Sequence, residues 1–370
     1  MKYCKSCVMP NTKPGIYFNE DQICGACLNA RIKKNIDWNL RRDYLSKLCD
    51  KIRGSNGNGY ECVVPVSGGK DSTYQAFMMS KVHNLKTLCV NISSHIQTYE
   101  GIRNLNSLVE NISVDLLKVN VRPSTHQKIR KIGMLELGNP NYGEHYVVFA
   151  GVARAALNAK APLVVWGEDI GVEFGGNISE TSRKEGSAED LISNDLFNQV
   201  SLYELLDGRI PQNELYFYNH PSKDEIRNLN IKSIYLSHFY RWDGYEHYQF
   251  SKDHGFIDRR KGPLSGNILS YDNIDEKLCE IHIWFKMLKF GFWRPTDQTC
   301  YQIWNSRMSR EEAVEIVLKK QYEFPYEYLN EFLEYHDMKE VELFECMEKW
   351  RNLDIWKKEN NKWKLRYEVF

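Results

Sequence analysis

The sequence has no long hydrophobic run and no excess of charge of one sign. Because it contains no stretch of about 18 uncharged apolar residues, we expect no transmembrane helix. Lysine and arginine together number 49, as do aspartate and glutamate, so the formal net charge is zero. This charge balance argues against a protein whose main role is to bind a polyanion. The first residues lack the apolar core of a secretion signal, so we expect a cytoplasmic location.

The composition is typical of a folded chain. Hydrophobic residues make up 42% and aromatic residues 13% of the 370 positions, which excludes a globally disordered chain. That length predicts two or three domains. In a cytoplasmic chain, the ten cysteines are more often metal ligands, catalytic groups or core residues than disulfide partners.

Short apolar runs alternate with helical patterns from residue 62 onward. The predicted strands are 62–66, 87–92, 114–119, 163–166 and 231–237, and helical spacing follows at 72–82, 99–109 and 145–159. This alternation predicts an α/β fold, with a twisted parallel sheet covered by helices on both faces. We expect a cysteine module at 1–38, the sheet domain at 39–245 and a mainly helical region at 246–370. A polar stretch near 175–225 is interpreted as an insertion that closes over the sheet.

A pair of glycines joins the first predicted strand to the next helix. The run is Ser67-Gly68-Gly69-Lys70-Asp71-Ser72-Thr73. A helix N-terminus presents free N–H groups and the positive end of a dipole, which bind anions, and glycines let the backbone approach a phosphate closely. The serine and threonine hydroxyls can donate hydrogen bonds, Lys70 adds positive charge, and Asp71 suits Mg²⁺.

The spacing of this loop matches neither the Walker loop nor the dinucleotide fingerprint. It resembles the pyrophosphatase loop of the N-type ATP pyrophosphatases, which split ATP between the α and β phosphates and adenylate a carbonyl oxygen. The simpler alternative is a Gly-Gly turn capped by serine, and the strand–turn–helix context argues against it. The resemblance implies that ATP and Mg²⁺ bind here.

Four cysteines form two closely spaced pairs, Cys4 with Cys7 and Cys24 with Cys27. Each pair can place two thiolates on one tight turn, and two such turns complete a tetrahedral site for Zn²⁺. Four protein ligands close the site, which makes it structural. An iron–sulfur cluster or a redox pair remains the alternative.

Acidic and basic residues form two further candidate sites. Glu168 and Asp169 follow a predicted strand at the sheet edge that also carries the loop, so either can face the nucleotide or simply form a solvated turn. Near residue 290, basic residues can neutralise a phosphate and aromatic residues can stack on a sugar or base; the residues are Lys286, Lys289, Phe292, Trp293 and Arg294. A helix end with a basic last turn is the simpler interpretation of that run.

Several blocks together resemble one family, the N-acetyl sugar amidotransferases of bacterial surface-polysaccharide biosynthesis. The blocks are the cysteine pairs, the loop 67–72, residues 166–176, residues 289–297 and residues 309–313. The resemblance covers nearly the whole chain and implies the conversion of a sugar acetamido group to an acetamidino group, for lipopolysaccharide O-antigen or nonulosonic acids. With it, we assign catalysis to Lys70, Asp71 and Glu168, and substrate binding to Glu173, Lys286, Lys289, Trp293, Arg294 and Asp297.

The implied reaction adenylates the amide oxygen, and ammonia then displaces AMP. The substrate would be an N-acetylated sugar, free or nucleotide-linked. Because the sequence shows no glutaminase nucleophile, we expect a separate glutaminase subunit to supply the ammonia. No membrane is expected as a partner, and nucleic acid is not expected.

Two other functions remain open. A tRNA thiolation enzyme also combines this loop with paired cysteines, but it needs cysteines near the nucleotide and a basic face. Cys89, at a strand end, is the candidate for that role. A docking module on a degenerate nucleotide fold would have to explain why the loop residues Ser67, Lys70, Asp71 and Ser72 are all present.

Overall fold

A parallel β-sheet lies at the centre of the protein. The computed structural model describes residues 1–93, 96–175, 186–188 and 201–370. The strands are β1 (Cys62–Pro65), β2 (Thr87–Ile92), β3 (Asp115–Val119), β4 (Leu163–Trp166) and β5 (Lys232–Tyr235). They pair in the order β3-β2-β1-β4-β5, and every pair is parallel. The predicted fold class is confirmed.

Successive side chains of β1 enter different cores. Cys62 and Val64 pack with residues of the helices on one face, whereas Val63 packs with residues on the other face. This alternation follows from the two-residue period of side chains along a strand. Because both faces of the sheet are buried, the strand sequences are continuous apolar runs. The chain leaves β1 toward β2 on one side and later adds β4 on the other side. The carboxyl ends of β1 and β4 therefore meet at a topological switch point, where ligands bind in open α/β sheets.

Helices cover the sheet and build the flanking regions. Those that precede β5 are α1 (Gly25–Lys33), α2 (Trp38–Ile52), α3 (Lys70–Phe77), α4 (Tyr99–Ile112), α5 (Pro123–Leu137), α6 (Glu144–Asn158), α7 (Ile170–Phe174), α8 (Leu202–Leu206) and α9 (Lys223–Asn228). Those that follow β5 are α10 (Gly244–Asp253), α11 (Cys279–Phe290), α12 (Arg294–Trp304), α13 (Arg310–Lys320), α14 (Leu329–His336) and α15 (Glu340–Trp350). An antiparallel hairpin of β6 (Trp356–Glu359) and β7 (Lys362–Leu365) follows α15.

The cysteine module shares its core with the C-terminal helices. The four paired cysteines pack with Phe292, Cys300, Ala313 and Val317 in one buried cluster. Arg310 donates from Nε to the carbonyl oxygens of Cys4 and Cys7, at 3.4 and 3.2 Å. The N-terminal segment is thus held by the other end of the chain.

The predicted polar insertion is described only in part, since residues 176–185 and 189–200 lie outside the described ranges. Residues of the described part, including Leu202, Leu206 and Tyr218, pack with Ile129 of α5 and Val147 of α6. These residues therefore belong to the helical layer, and the prediction of a closing lid stays untested for the rest. Within the described ranges, no helix is long and apolar enough to cross a membrane.

Candidate active site

The glycine loop forms a tight turn at the carboxyl end of β1. Gly68 has φ +89°, and a Cβ there would stand 2.8 Å from the carbonyl oxygen of Gly101. Only glycine fits both the conformation and the space. Gly69 is the N-cap of α3, so the N–H groups of Lys70, Asp71 and Ser72 lie in the first helical turn, where they have no intrahelical acceptor.

Two of the three loop hydroxyls bond to the backbone, and the third is exposed to solvent. Ser72 and Thr73 donate to the carbonyl oxygen of Gly69, at 2.9 and 3.1 Å. Ser67 is exposed, and its Oγ accepts from the N–H of Gly69 at 3.3 Å. Ser67 is therefore the loop hydroxyl that faces outward, while the other two stabilise the turn.

Lys70 and Asp71 belong to a charge network that the sequence does not reveal. Lys70 Nζ lies 2.9 Å from Asp71 Oδ2 and 3.0 Å from Asp272 Oδ1. The other oxygen of Asp71 lies 2.7 Å from His247 Nδ1. Burial acts to raise the pKa of Asp71, but the nearby Lys70 and His247 outweigh it and lower that pKa. The loop carboxylate is thus ionised and held in place.

A cavity of about 380 Å³ opens beside this network. Its lining combines the loop with the ends of two strands and includes Ser67, Asp71, Ser72, Asn91, Glu168, Asp275 and Glu276. We call it the loop cavity. Catalytic residues predicted from separate parts of the chain, Asp71 and Glu168, therefore lie in one cavity.

Glu168 and its neighbour Asp169 have different surroundings. Burial, followed by the nearby charge of Asp71, raises the pKa of Glu168 to about 7. Asp169 instead caps α7, where its Oδ1 accepts from the N–H groups of Gly171 and Val172. Glu168 can exchange a proton near neutral pH, whereas Asp169 positions the turn.

The far side of the loop cavity is acidic. Arg130 is buried and pairs with Glu276 at 2.7 Å, and His126 Nε2 lies 2.7 Å from Glu144 Oε2. Burial acts to raise the pKa of Glu144, but His126 and Arg130 lower it to about 2. Burial also raises the pKa of Asp275 to about 6. This wall offers many hydrogen-bond acceptors to a ligand.

The basic run near residue 290 does not line the loop cavity. Trp293 has no exposed surface, and its indole N–H donates to the carbonyl of Gln321 at 3.0 Å. Arg294 is buried and forms a bidentate pair with Glu280, with an Nη2–Oε1 distance of 3.0 Å. These contacts occupy the groups that the sequence suggested for a ligand.

The other members of that run also have partners within the protein. Lys286 pairs with Asp297, and Lys289 donates to the carbonyl of Leu137 at 2.9 Å. None of the five predicted binding residues from 286 to 297 lines either cavity described in this section. In this structure Lys286 and Asp297 join α11 to α12, and Lys289 joins α11 to α5.

Glu173 is placed differently, because it lines a second cavity of about 540 Å³ on the other side of the loop network. Its Oε2 pairs with Lys33 of α1. Burial raises its pKa, and the charge of Lys33 opposes that rise. Of the six predicted substrate-binding residues, Glu173 alone lines one of these two cavities.

The four predicted metal ligands converge. Their sulfur atoms all lie within 4.8 Å of one another, and all four residues are buried. Cys4 and Cys27 have a sulfur separation of 3.9 Å, and Cys7 and Cys24 one of 3.6 Å. Four thiolates bound at about 2.3 Å to one Zn²⁺ stand about 3.8 Å apart, so the donor set fits a single tetrahedral ion.

The loop region also suits a hard divalent cation. Asp71, Asp272 and Glu168 bring carboxylates to the N-terminus of α3, where phosphates would bind. Oxygen ligands of this kind, shared with phosphate oxygens, are those that Mg²⁺ prefers. The residues present therefore fit the predicted Mg²⁺–ATP complex.

Sequence reasoning missed several residues of the site. His247, Asp272, Asp275 and Glu276 come from the C-terminal half, and none stands in a recognisable motif. Cys279 also lines the loop cavity. Only knowledge of how the C-terminal half folds back on the sheet could have identified them.

Residues 238–369 match a protein-family model, "LPS biosynthesis protein WbpG-like, C-terminal domain". The matched range begins just before α10 and includes His247, Asp272 and Asp275, which complete the site. The match confirms the predicted relation to lipopolysaccharide biosynthesis proteins for this part of the chain.

Among curated proteins, the chain is similar to an uncharacterized protein of Methanocaldococcus jannaschii. The two are 26% identical over 118 residues, which is 32% of this chain and 42% of the relative. The chain thus spans less than half of the length of the curated relative that it matches.

Solved structures with similarity include an NMN synthetase from Francisella tularensis, at 16% identity over 60% of this chain and 95% of the other, with a TM-score of 0.27. A U34-tRNA thiolase NcsA from Methanococcus maripaludis, solved with its [4Fe-4S] cluster, is 13% identical over 82% of this chain and 85% of the other, with a TM-score of 0.25. Both TM-scores are low, so the fold is defined by the strand order of this chain itself.

Proposed function

We propose that this chain is an ATP-dependent amidotransferase that converts the acetamido group of a sugar to an acetamidino group in lipopolysaccharide biosynthesis. The observation that carries the proposal is the loop cavity, where the anion-binding turn at Gly68 and Gly69 faces Asp71 and Glu168. The family match of residues 238–369 supports the pathway. The N-acetyl sugar, the amidine product and the release of AMP rest on the sequence resemblance.

ATP would bind with its terminal phosphates at the first turn of α3. The free N–H groups there and the helix dipole attract anions. Mg²⁺, when bound, would neutralise charge on the phosphates and would be held by Asp71 with Asp272. Lys70, released from one of its two carboxylates, can then contact a phosphate.

The chemistry would proceed by activation and displacement. The acetamido oxygen attacks the α-phosphorus, the bond to pyrophosphate breaks, and an adenylated imidate forms. Ammonia attacks the imidate carbon, and the C–O bond breaks to release AMP. Holding the reacting atoms in line supplies much of the rate enhancement. Glu168, whose pKa is about 7, accepts the proton that leaves the attacking nitrogen.

The ammonia would come from a separate glutaminase subunit, because the sequence contains no glutaminase nucleophile of its own. Purified protein should therefore use ammonium but not glutamine. Glutamine-dependent turnover by the isolated chain would contradict this part of the proposal.

The tRNA thiolation alternative depends on reactive cysteines near the nucleotide. Cys89 is fully buried within the sheet core. Cys279 lines the loop cavity, but burial raises the pKa of its thiol to about 12, which leaves it protonated at neutral pH. A protonated thiol is a poor nucleophile, so this observation favours the amidotransferase.

The test is the pair of products formed from ATP. The protein is incubated with Mg²⁺, ammonium at mildly alkaline pH, and a panel of free and nucleotide-linked acetamido sugars. We expect AMP and pyrophosphate with one sugar, whose mass changes by replacement of an oxygen atom with an NH group. ADP and phosphate, or AMP formation only with tRNA, would overturn the proposal.

A further inference from the structure

ATP binding at the glycine loop does not assign a function to the second cavity, the one that Glu173 lines. It has a volume of about 540 Å³, which lies within the range of small-molecule sites. Three tryptophans line it, namely Trp38, Trp242 and Trp304. We call it the tryptophan cavity. It lies where α1, α7 and the C-terminal end of α12 meet, so distant segments of the chain build it together.

Two residues that line this cavity, Glu173 and Trp304, each have a buried polar atom without a hydrogen-bond partner among the residues that the structure describes. The atoms are Oε1 of Glu173, an acceptor, and Nε1 of Trp304, a donor. The side chain of Glu173 is only 4% exposed. Because an unpaired buried polar atom is costly, an acceptor and a donor on residues that line one cavity point to a ligand that satisfies both.

The cavity also carries positive charge at its rim. Lys34 is exposed, and Arg241 is half exposed with its nearest carboxylates no closer than 3.8 Å. Lys33, deeper in the cavity, is already neutralised by Glu173. The lining therefore suits a ligand with a ring-like body that packs on tryptophan and an anionic end that reaches Lys34 and Arg241.

A thin wall separates this cavity from the phosphate loop. Tyr301 lines the cavity, and its hydroxyl accepts from the N–H of Gly244 at 3.1 Å. A Cβ on Gly244 would stand 2.9 Å from Cε of Lys70 and 3.6 Å from the ring of Tyr301, so Gly244 is packed between them. On the same wall, Trp242 meets His247 edge-on, with ring centroids 4.5 Å apart.

We propose that the tryptophan cavity binds the acetamido sugar, with a phosphate or nucleotide group of that sugar at Lys34 and Arg241. Glu173 Oε1 accepts the amide N–H, and Trp304 Nε1 donates to a sugar oxygen. In this arrangement the wall of Tyr301, Gly244 and Trp242 stands between the acetamido group and Lys70, so the proposed reaction requires that wall to open. The inference rests on the proposed function for the identity of the sugar, but binding itself requires neither ATP nor turnover.

Binding is measured without ATP, by calorimetry and tryptophan fluorescence. The probes are N-acetylglucosamine, its 1-phosphate, and UDP- and CMP-linked acetamido sugars, so the neutral, phosphorylated and nucleotide-linked forms are compared. We expect binding of an anionic form. Trp304→Phe removes only the N–H donor and Glu173→Gln removes the carboxylate, and each should weaken binding about tenfold, the loss of one good hydrogen bond.

Trp363→Phe, in the distant C-terminal hairpin, is the matched control and should not alter affinity. Lys34→Glu is a surface change that should weaken the anionic probes and leave the neutral sugar unaffected. Unchanged affinity in Trp304→Phe, Glu173→Gln and Lys34→Glu, or no binding by any probe, would overturn the inference. If the protein forms AMP but the three variants bind the probes with unchanged affinity, only the binding site in the tryptophan cavity is contradicted. If the variants weaken binding but the protein forms no AMP, only the proposed reaction is contradicted.

Discussion

Nδ1 of His247 lies 2.7 Å from Oδ1 of Asp71, so a histidine of α10 fixes the carboxylate of the phosphate loop. The imidazole is itself held between two rings. It stacks on Tyr74 with centroids 4.1 Å apart and meets Trp242 edge-on. Orientation of Asp71 therefore depends on the region that follows the sheet.

Substitution of His247 should lower turnover by releasing Asp71. We expect His247→Phe to reduce kcat by about 10–100-fold, a typical effect for partners that orient a metal-binding or catalytic group. His247→Asn places an amide nitrogen near the position of Nδ1 and should recover most of the rate. Measurement of kcat and KM for ATP in both variants tests this, with the melting temperature as the control. Equal loss in both variants would contradict a positioning role.

The raised pKa of Glu168 predicts how activity depends on pH. If ionised Glu168 accepts the proton from the attacking nitrogen, kcat should rise with pH through about 7 and then level off. The rate is measured with free ammonia held constant, because ammonium itself loses a proton as pH rises. Glu168→Gln should abolish this rise along with most of the activity. An unchanged profile in the Gln variant would assign the titration to another group.

Glu168 should also affect stability, in a direction fixed by its pKa. The folded protein holds this proton up to about pH 7, whereas the ordinary glutamate value is 4.5. The folded state thus binds more protons between these values, and stability falls as pH rises through this window. Glu168→Gln should be about as stable as the natural chain at pH 4.5 and up to about 3 kcal/mol more stable at pH 9. Urea unfolding at both pH values measures the difference.

The cysteine cluster predicts one metal ion per chain. Zinc content of freshly purified protein should be near one equivalent, because four sulfur atoms lie within 4.8 Å of one another. Cys24→Ser should lose the metal and unfold at lower temperature, since the cluster shares its core with α12 and α13. Cys346→Ser, at a buried cysteine far from the cluster, is the control and should keep its metal. Iron together with visible absorption would favour an iron–sulfur cluster. Absence of both zinc and iron would contradict the metal site.

Local patterns in the sequence predicted much of the sheet domain. Strands 87–92 and 163–166 have the predicted bounds, because each is a short apolar run buried on both faces. Helices α1 and α10 were not predicted, since their short polar sequences show little periodicity and their packing comes from tertiary contacts. The loop and the four cysteines were found because their spacing is local.

The rest of the site could not be read from the sequence. His247 and Asp272 lie far beyond the phosphate loop in the sequence, and only the fold brings His247 to Asp71 and Asp272 to Lys70. The partner of Arg294 is another feature that the sequence does not reveal. The charge of Arg294 and its position near Trp293 suggested a ligand, but charge alone does not reveal that Glu280 already pairs with it. Buried pairs between distant positions are invisible to spacing arguments.

The pair of Arg294 and Glu280 provides a test that separates a structural role from substrate binding. Both side chains are buried, so Arg294→Met leaves Glu280 as an uncompensated charge and should destabilise the protein by about 3–5 kcal/mol. The double variant Arg294→Met with Glu280→Leu removes both charges and should recover most of that loss. If Arg294 acts only on structure, the KM for the sugar in the double variant stays near its natural value. A large rise in that KM with stability restored would instead place Arg294 in contact with substrate, which would require it to leave Glu280 during the reaction.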